Sequence, residues 1–251
     1  MSNTDKYPNL PKSPIEVAIF EIRHHFINPP ISIAGLSGFH SFIKEKYPIS
    51  NLGYNRNVQI DELPNGKPKV KIISNDITEI RFISSDKRMI LMIRPNVFNL
   101  NIPGNYTNWN DCFSEFQYLW EQFKKYLLSI EQTFEIIGAS VRYINKFKFE
   151  TFDNPSEYFN TTIYAVQDAI PDEVTSYLMR YVTQRNNIQI NVTQGLEPII
   201  GNEIPYLVDM DIIYNSGIPN DNIWEIYDEL HAVKNEVFFS NLTEKTLNLL
   251  S

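Results

Sequence analysis

"IFEIRHHF" (residues 19–26) alternates apolar and polar residues and ends in two histidines, and "SVRYINKF" (residues 140–147) repeats the rhythm without them. Period-two alternation marks a strand with one buried face. From Ile15 to Phe26 it sets Ala18, Phe20 and Ile22 on one side and Val17, Ile19, Glu21 and Arg23 on the other. Each of the two strands opens a similar run of elements.

After the first strand, "LSGFHSFIKEKY" carries Phe39, Phe42 and Ile43 at helical spacing and is stopped by Pro48. Strands are predicted over 57–63, over 69–84 with a break at Ser74-Asn75-Asp76, and over 88–101. Asn65-Gly66 and Ser84-Ser85-Asp86 supply the turns. A helix over 109–129 closes the run, capped by Asn108, with Phe113, Phe116, Trp120, Phe123 and Leu127 along one face.

The second run opens with a strand over 136–150. Asn154-Pro155 then starts a helix to about Val166, strands follow near 177–184, 187–194 and 206–214, and a helix begins behind Asp221 or Asn222. That helix carries Ile223, Tyr227, Leu230, Val233 and Val237 at core spacing, and "TEKTLNLL" forms a last segment. The pattern predicts an α+β fold of two pseudo-symmetric β-α-β-β-β-α halves, with an antiparallel curved sheet backed by helices. Residues 1–14 form an extended N-terminal arm, 15–132 the first half and 133–251 the second, the two packed as one globular unit. The element order resembles TATA-binding and helix-grip folds, an analogy that transfers no function.

Charge and composition narrow the partners. With 22 Lys+Arg against 30 Asp+Glu, the net charge of -8 disfavours a grip on phosphate backbones, so nucleic acid is not the expected partner. One cysteine, Cys112, allows no internal disulfide, and the opening "MSNTDKYPNLPKSP" has neither the basic start nor the apolar core of a signal peptide. A cytoplasmic location is expected, and charges such as Lys71, Glu79 and Arg81 interrupt every apolar run, so no membrane span is expected. In that setting the sequons at Asn105, Asn160, Asn191 and Asn241 are coincidence.

The candidate sites are few. His24 and His25 are neighbours on a strand and point to opposite faces, so regular geometry does not let them share a metal. His40 and His231 are remote in sequence, and no HExxH, CxxC, GxSxG, GxxxxGK[ST] or GxGxxG motif is present. No catalytic residue, metal ligand or cofactor is assigned. Asp209 and Asp211 in "YLVDMDIIYN" share a strand face, as a cation or proton site requires, but a charge ladder with Arg23, Arg142 or Lys146 is the commoner use of that spacing and the preferred reading. His231 and Asn235 stand one helical turn apart and share a face, either to orient a substrate or as a polar contact. Cys112 sits in a first helical turn beside Trp109 and Phe113, the surroundings of a packed core thiol.

"PIEVAIFEIRHHF", "RPNVFNLN", "YTNWNDCF", "VRYINKF" and "LHAVKNEVFFSNLTEK" together resemble a sporadically distributed family of bacterial and archaeal proteins of about this length, to which no chemistry is assigned. The resemblance spans nearly the whole chain and falls on Pro14, Glu21, Arg23, Arg142, Tyr143, Asn145, His231 and Asn235. It implies an accessory gene spread by horizontal transfer, in a defence or toxin-antitoxin-like setting. Two functions follow as expectations. One is a non-enzymatic interaction protein, a homodimer or the partner of a protein encoded nearby, working through an uncovered sheet face or edge. The other is a sensor or enzyme for a small anionic, nucleotide-like ligand, with a pocket between sheet and last helix lined by Arg23, Arg142, Tyr143, Asn145, Asp209, Asp211, His231 and Asn235.

Overall fold

A computed structural model describes residues 7–251 except 9, 28, 63–67, 153, 162–175, 199–200, 202 and 220–221; within 55–62 and 68–75 it describes the backbone alone. The fold is α+β. Its antiparallel strand pairs belong to one nine-stranded sheet ordered β2-β3-β4-β5-β1-β6-β9-β8-β7, backed by helices. The strands are β1 (Ile15–Phe26), β2 (Ile49–Glu62), β3 (Pro68–Ile83), β4 (Ile90–Arg94), β5 (Val97–Pro103), β6 (Phe134–Phe149), β7 (Tyr177–Arg185), β8 (Ile188–Leu196) and β9 (Ile204–Tyr214). The helices are α1 (Ile33–Leu36), α2 (His40–Ile43), α3 (Trp109–Ser129), α4 (Ile223–Asn241) and α5 (Glu244–Leu250). No helix among the described residues is long and apolar enough to cross a membrane.

The alternation in β1 has its physical outcome in burial. Ala18, Phe20, Ile22, His24 and Phe26 are buried, while His25 is exposed. The stretch 88–101, read from sequence as one strand, is two. Pro95-Asn96 forms a two-residue turn that pairs Arg94 with Val97, because proline has no N–H to continue a ladder. Along "LSGFHSFIKEKY" the helix is broken into α1, a 3-10 turn over Ser37–Phe39 and α2, with Gly38 lying against the ring of Tyr126.

By density of contacts the chain divides into two units. The first comprises Met1–Glu21, Ile102–Thr107 and Ile136–Ser251; the second comprises Ile22–Asn101 and Asn108–Glu135. The second has an aromatic core. Phe116, Trp120 and Phe123 on one face of α3 meet Phe98 of β5, with ring centroids 5.9, 5.2 and 5.0 Å apart. Asn108 caps α3, its side chain accepting from the Asp111 N–H at 2.9 Å. His24 lies among Phe26, Trp120, Phe123 and Phe134, at 4.8 to 6.3 Å between centroids.

In the first unit α4 packs on β9 and buries Ile223, Tyr227, Leu230, Val233, Lys234 and Phe238. The arm before β1 is docked here: Tyr7 stacks on Phe239 at 4.6 Å, and the Lys12 N–H donates to the Leu250 carbonyl. Asn154 caps only a 3-10 turn, Pro155–Glu157, after which Phe159 bridges to Leu242 and Asn160 donates to the Ser240 carbonyl. That pairing ends the helix expected from Pro155; its continuation to Val166, like the Asn65-Gly66 turn, lies outside the described residues.

Candidate functional site

Strand alternation sorts the predicted residues before any chemistry does. On β6, Tyr143 and Asn145 point into the buried face and Arg142 out of it, and on β9 Asp209 and Asp211 share the outward face. The single pocket expected to hold all of these with the last helix is therefore corrected, since neighbours on a strand cannot face the same helix. Arg23 belongs to the second unit, half-buried on β1.

The outward face is a charge ladder. Arg142 donates from Nε and Nη2 to Asp209 at 2.9 and 2.6 Å, a fork-to-fork pair that reaches diagonally across the register. The hydrogen bonds of Asp209, with Asp211 and Glu21 adding charge, push the Arg142 pKa up despite some burial. Lys146 pairs with Glu197 at 3.0 Å on the same strand face. Arg142 holds Asp209 directly and feels Asp211 only through its charge, so this face works as sheet pairing.

The buried face is different. Beneath α4, the Lys234 ammonium sits 4.5 Å above the Tyr143 ring and donates to Asn235 Oδ1 at 2.5 Å. Asn235 Nδ2 is 3.2 Å from His231 Nε2, and the Tyr143 hydroxyl is 3.2 Å from that of Tyr106. Tyr106 and Tyr143 meet edge to face at 5.4 Å. Lys234 is 8% exposed, and burial lowers its pKa to about 7. Burial, with the Lys234 charge beside it, lowers His231 to about 3, so the imidazole is neutral at pH 7. Five polar groups from β6, α4 and the 102–107 segment thus converge in one aromatic layer.

Asn145 lies on the same face but is committed to the backbone, donating to the Val208 carbonyl at 3.0 Å. Sequence reasoning named Tyr143, His231 and Asn235 but missed Lys234 and Tyr106. A signal for Lys234 existed, because the spacing Tyr227, Leu230, Lys234, Phe238 continues the core stripe of α4 through a lysine. Nothing marked Tyr106.

In the second unit, an open cleft of about 400 Å³ is lined by residues that include Glu45, Lys46, Tyr47, Asp86, Asp111 and Glu115. Its carboxylates are largely spoken for by the fold: Glu115 by Lys46 at 2.7 Å, Asp86 by the Ser84 hydroxyl at 2.6 Å, Asp111 by Asn108 at 2.6 Å. His40 spends Nε2 on the Tyr47 carbonyl at 2.9 Å. Cys112 is fully buried. Among the described residues no group of three or more His, Cys, Asp or Glu side chains gathers as a metal site.

No family model matches this chain, and neither does any curated protein. The site has to be read from its own geometry.

Proposed function

We propose that this protein is a non-enzymatic, cytoplasmic interaction protein that binds through strand β7, with a partner encoded nearby or a second copy of itself as occupant. The observation that carries the reading is the state of that strand. β7 stands last in the sheet order, with its outer edge unpaired among the described residues. Leu178 and Val182 are 68% and 56% exposed, and Arg180 between them pairs with no carboxylate among the described residues. An open edge with an apolar-cation-apolar row offers backbone hydrogen bonds to an extended segment and a match for one that alternates apolar and acidic residues. The accessory, defence-linked setting implied by the family resemblance suits a protein that acts through a partner.

Native mass spectrometry of the protein purified from its own host tests this. The wild-type chain carries the mass of a partner or of a second copy, and L178K/V182K, still folded by circular dichroism, loses it. Retention of that mass by the double variant, or a bare wild-type monomer at micromolar concentration, overturns the reading.

A second reading, a small anionic ligand held between the sheet and α4, is favoured by one observation: the convergence of Lys234, His231, Asn235, Tyr143 and Tyr106. Convergent polar groups in an apolar layer are what a ligand site requires.

A further inference from the structure

An ammonium has three donors to place. The Lys234 group gives one to Asn235 Oδ1 and faces the ring of Tyr143, and no carboxylate pairs with it among the described residues. A buried cation without an anion is costly, so the amine sheds its proton readily when the site is empty and keeps it when an anion offsets the charge. The groups around it, the Asn235 amide against His231 Nε2 and the hydroxyl pair of Tyr106 and Tyr143, carry N–H and O–H donors that an entering acceptor competes for. Such a set is complementary to an acceptor-rich group. His231 and Asn235 are only half-buried, so the amine lies just beneath a rim that solvent reaches.

We infer that Lys234, with Asn235 and the Tyr106–Tyr143 pair, binds the carboxylate of a small organic anion. The inference rests on the second reading above and names its ligand class. Charge decides between carboxylate and phosphate. Lys234 is the one lysine or arginine in the cluster and takes up its proton as the anion binds, so the loaded site holds one positive charge, which matches a monoanion and leaves a phosphate dianion uncompensated in a buried layer.

Sodium acetate, titrated against sodium chloride at constant ionic strength, is the probe, and the readout is the ε-carbon NMR signal of ¹³C-labelled lysine. Acetate moves the Lys234 signal saturably and raises its titration midpoint by about one pH unit, because the anion favours the ammonium. K234M folds, since it removes a buried charge, and loses the acetate response that the backbone ¹⁵N–H signals of Tyr143 and Asn235 show in the wild type. N235A weakens binding about tenfold, equivalent to about 1.4 kcal/mol. A Lys234 signal that never moves removes both the inference and the second reading. A response that persists in K234M keeps an anion site but takes Lys234 out of it. Phosphate acting where acetate does not rejects the charge match.

Discussion

Lys234 shows how one side chain links packing to pH. Its amine takes a proton near 10.5 when unfolded but only near pH 7 when buried, so between these values the unfolded chain holds a proton that the folded chain lacks. Stability therefore rises with pH across this window and is lost as pH falls towards 7. Urea unfolding from about pH 7.5 to 9.5, below the range of ordinary tyrosines, reads a slope of up to about 1.4 kcal/mol per pH unit. K234M flattens it; an unchanged slope in the variant would show that the amine is not buried. Arg142 is the counter-case. Its pair with Asp209 is bidentate, but the arginine side chain is 43% exposed, so the ladder contributes less than about 1 kcal/mol. The alternation of "IFEIRHHF" sufficed to separate His24 from His25. It could not separate a solvent-reaching lysine from a buried one, because an amphipathic side chain at a core position usually extends its head to water.

Among the elements, β7 depends on a single glycine. A Cβ on Gly195 of β8 would stand 2.0 Å from the Tyr177 carbonyl oxygen and 2.9 Å from the Leu178 Cα, both backbone. No side-chain rotation relieves a backbone clash, so G195A forces β7 away from β8 along the pair Leu178–Gly195. The expected result is a loss of roughly 2–3 kcal/mol, with hydrogen exchange accelerated first in Tyr177–Arg185. Protection of those amides equal to wild type would mean the close approach is not real. The long helices were legible because α3 and α4 carry a continuous apolar stripe between clear start and stop signals. Less legible was the break in 88–101, whose two strands are each apolar enough to read as one. The helix expected after Asn154 was misjudged because a capping pair specifies where a turn begins and not how long it persists.

At the scale of the whole molecule, each unit holds one histidine kept neutral by its surroundings, the buried His24 in the second and the half-buried His231 in the first. Desolvation lowers His24 to about 4; the backbone of Ile22 favours its protonated form but does not outweigh burial, and no hydrogen-bond partner meets its ring nitrogens among the described residues. An unfolded imidazole protonates near 6.5, so on acidification the unfolded chain binds protons first and stability falls from pH 6.5 towards 4. Near pH 5 the two rings together take up about two protons on unfolding. H24F leaves about one, and calorimetry in buffers of different ionisation enthalpy counts them. An uptake that H24F does not change would place His24 in contact with water. The acidic balance, with a net charge of -8, bears on partners rather than on fold, and it resides in the first unit, the second being slightly basic.

By itself the sequence determined the fold class, the position of most elements and the absence of familiar catalytic motifs, since period, caps and motif spacing are local properties of the chain. Tertiary structure alone decided which polar residues meet. Tyr106, Tyr143 and Lys234 are separated by 37 to 128 positions, and only the packing of α4 on the sheet brings them into one layer. Whether a lysine there stays charged is settled by how much water that packing excludes, a quantity that no pattern in the chain encodes.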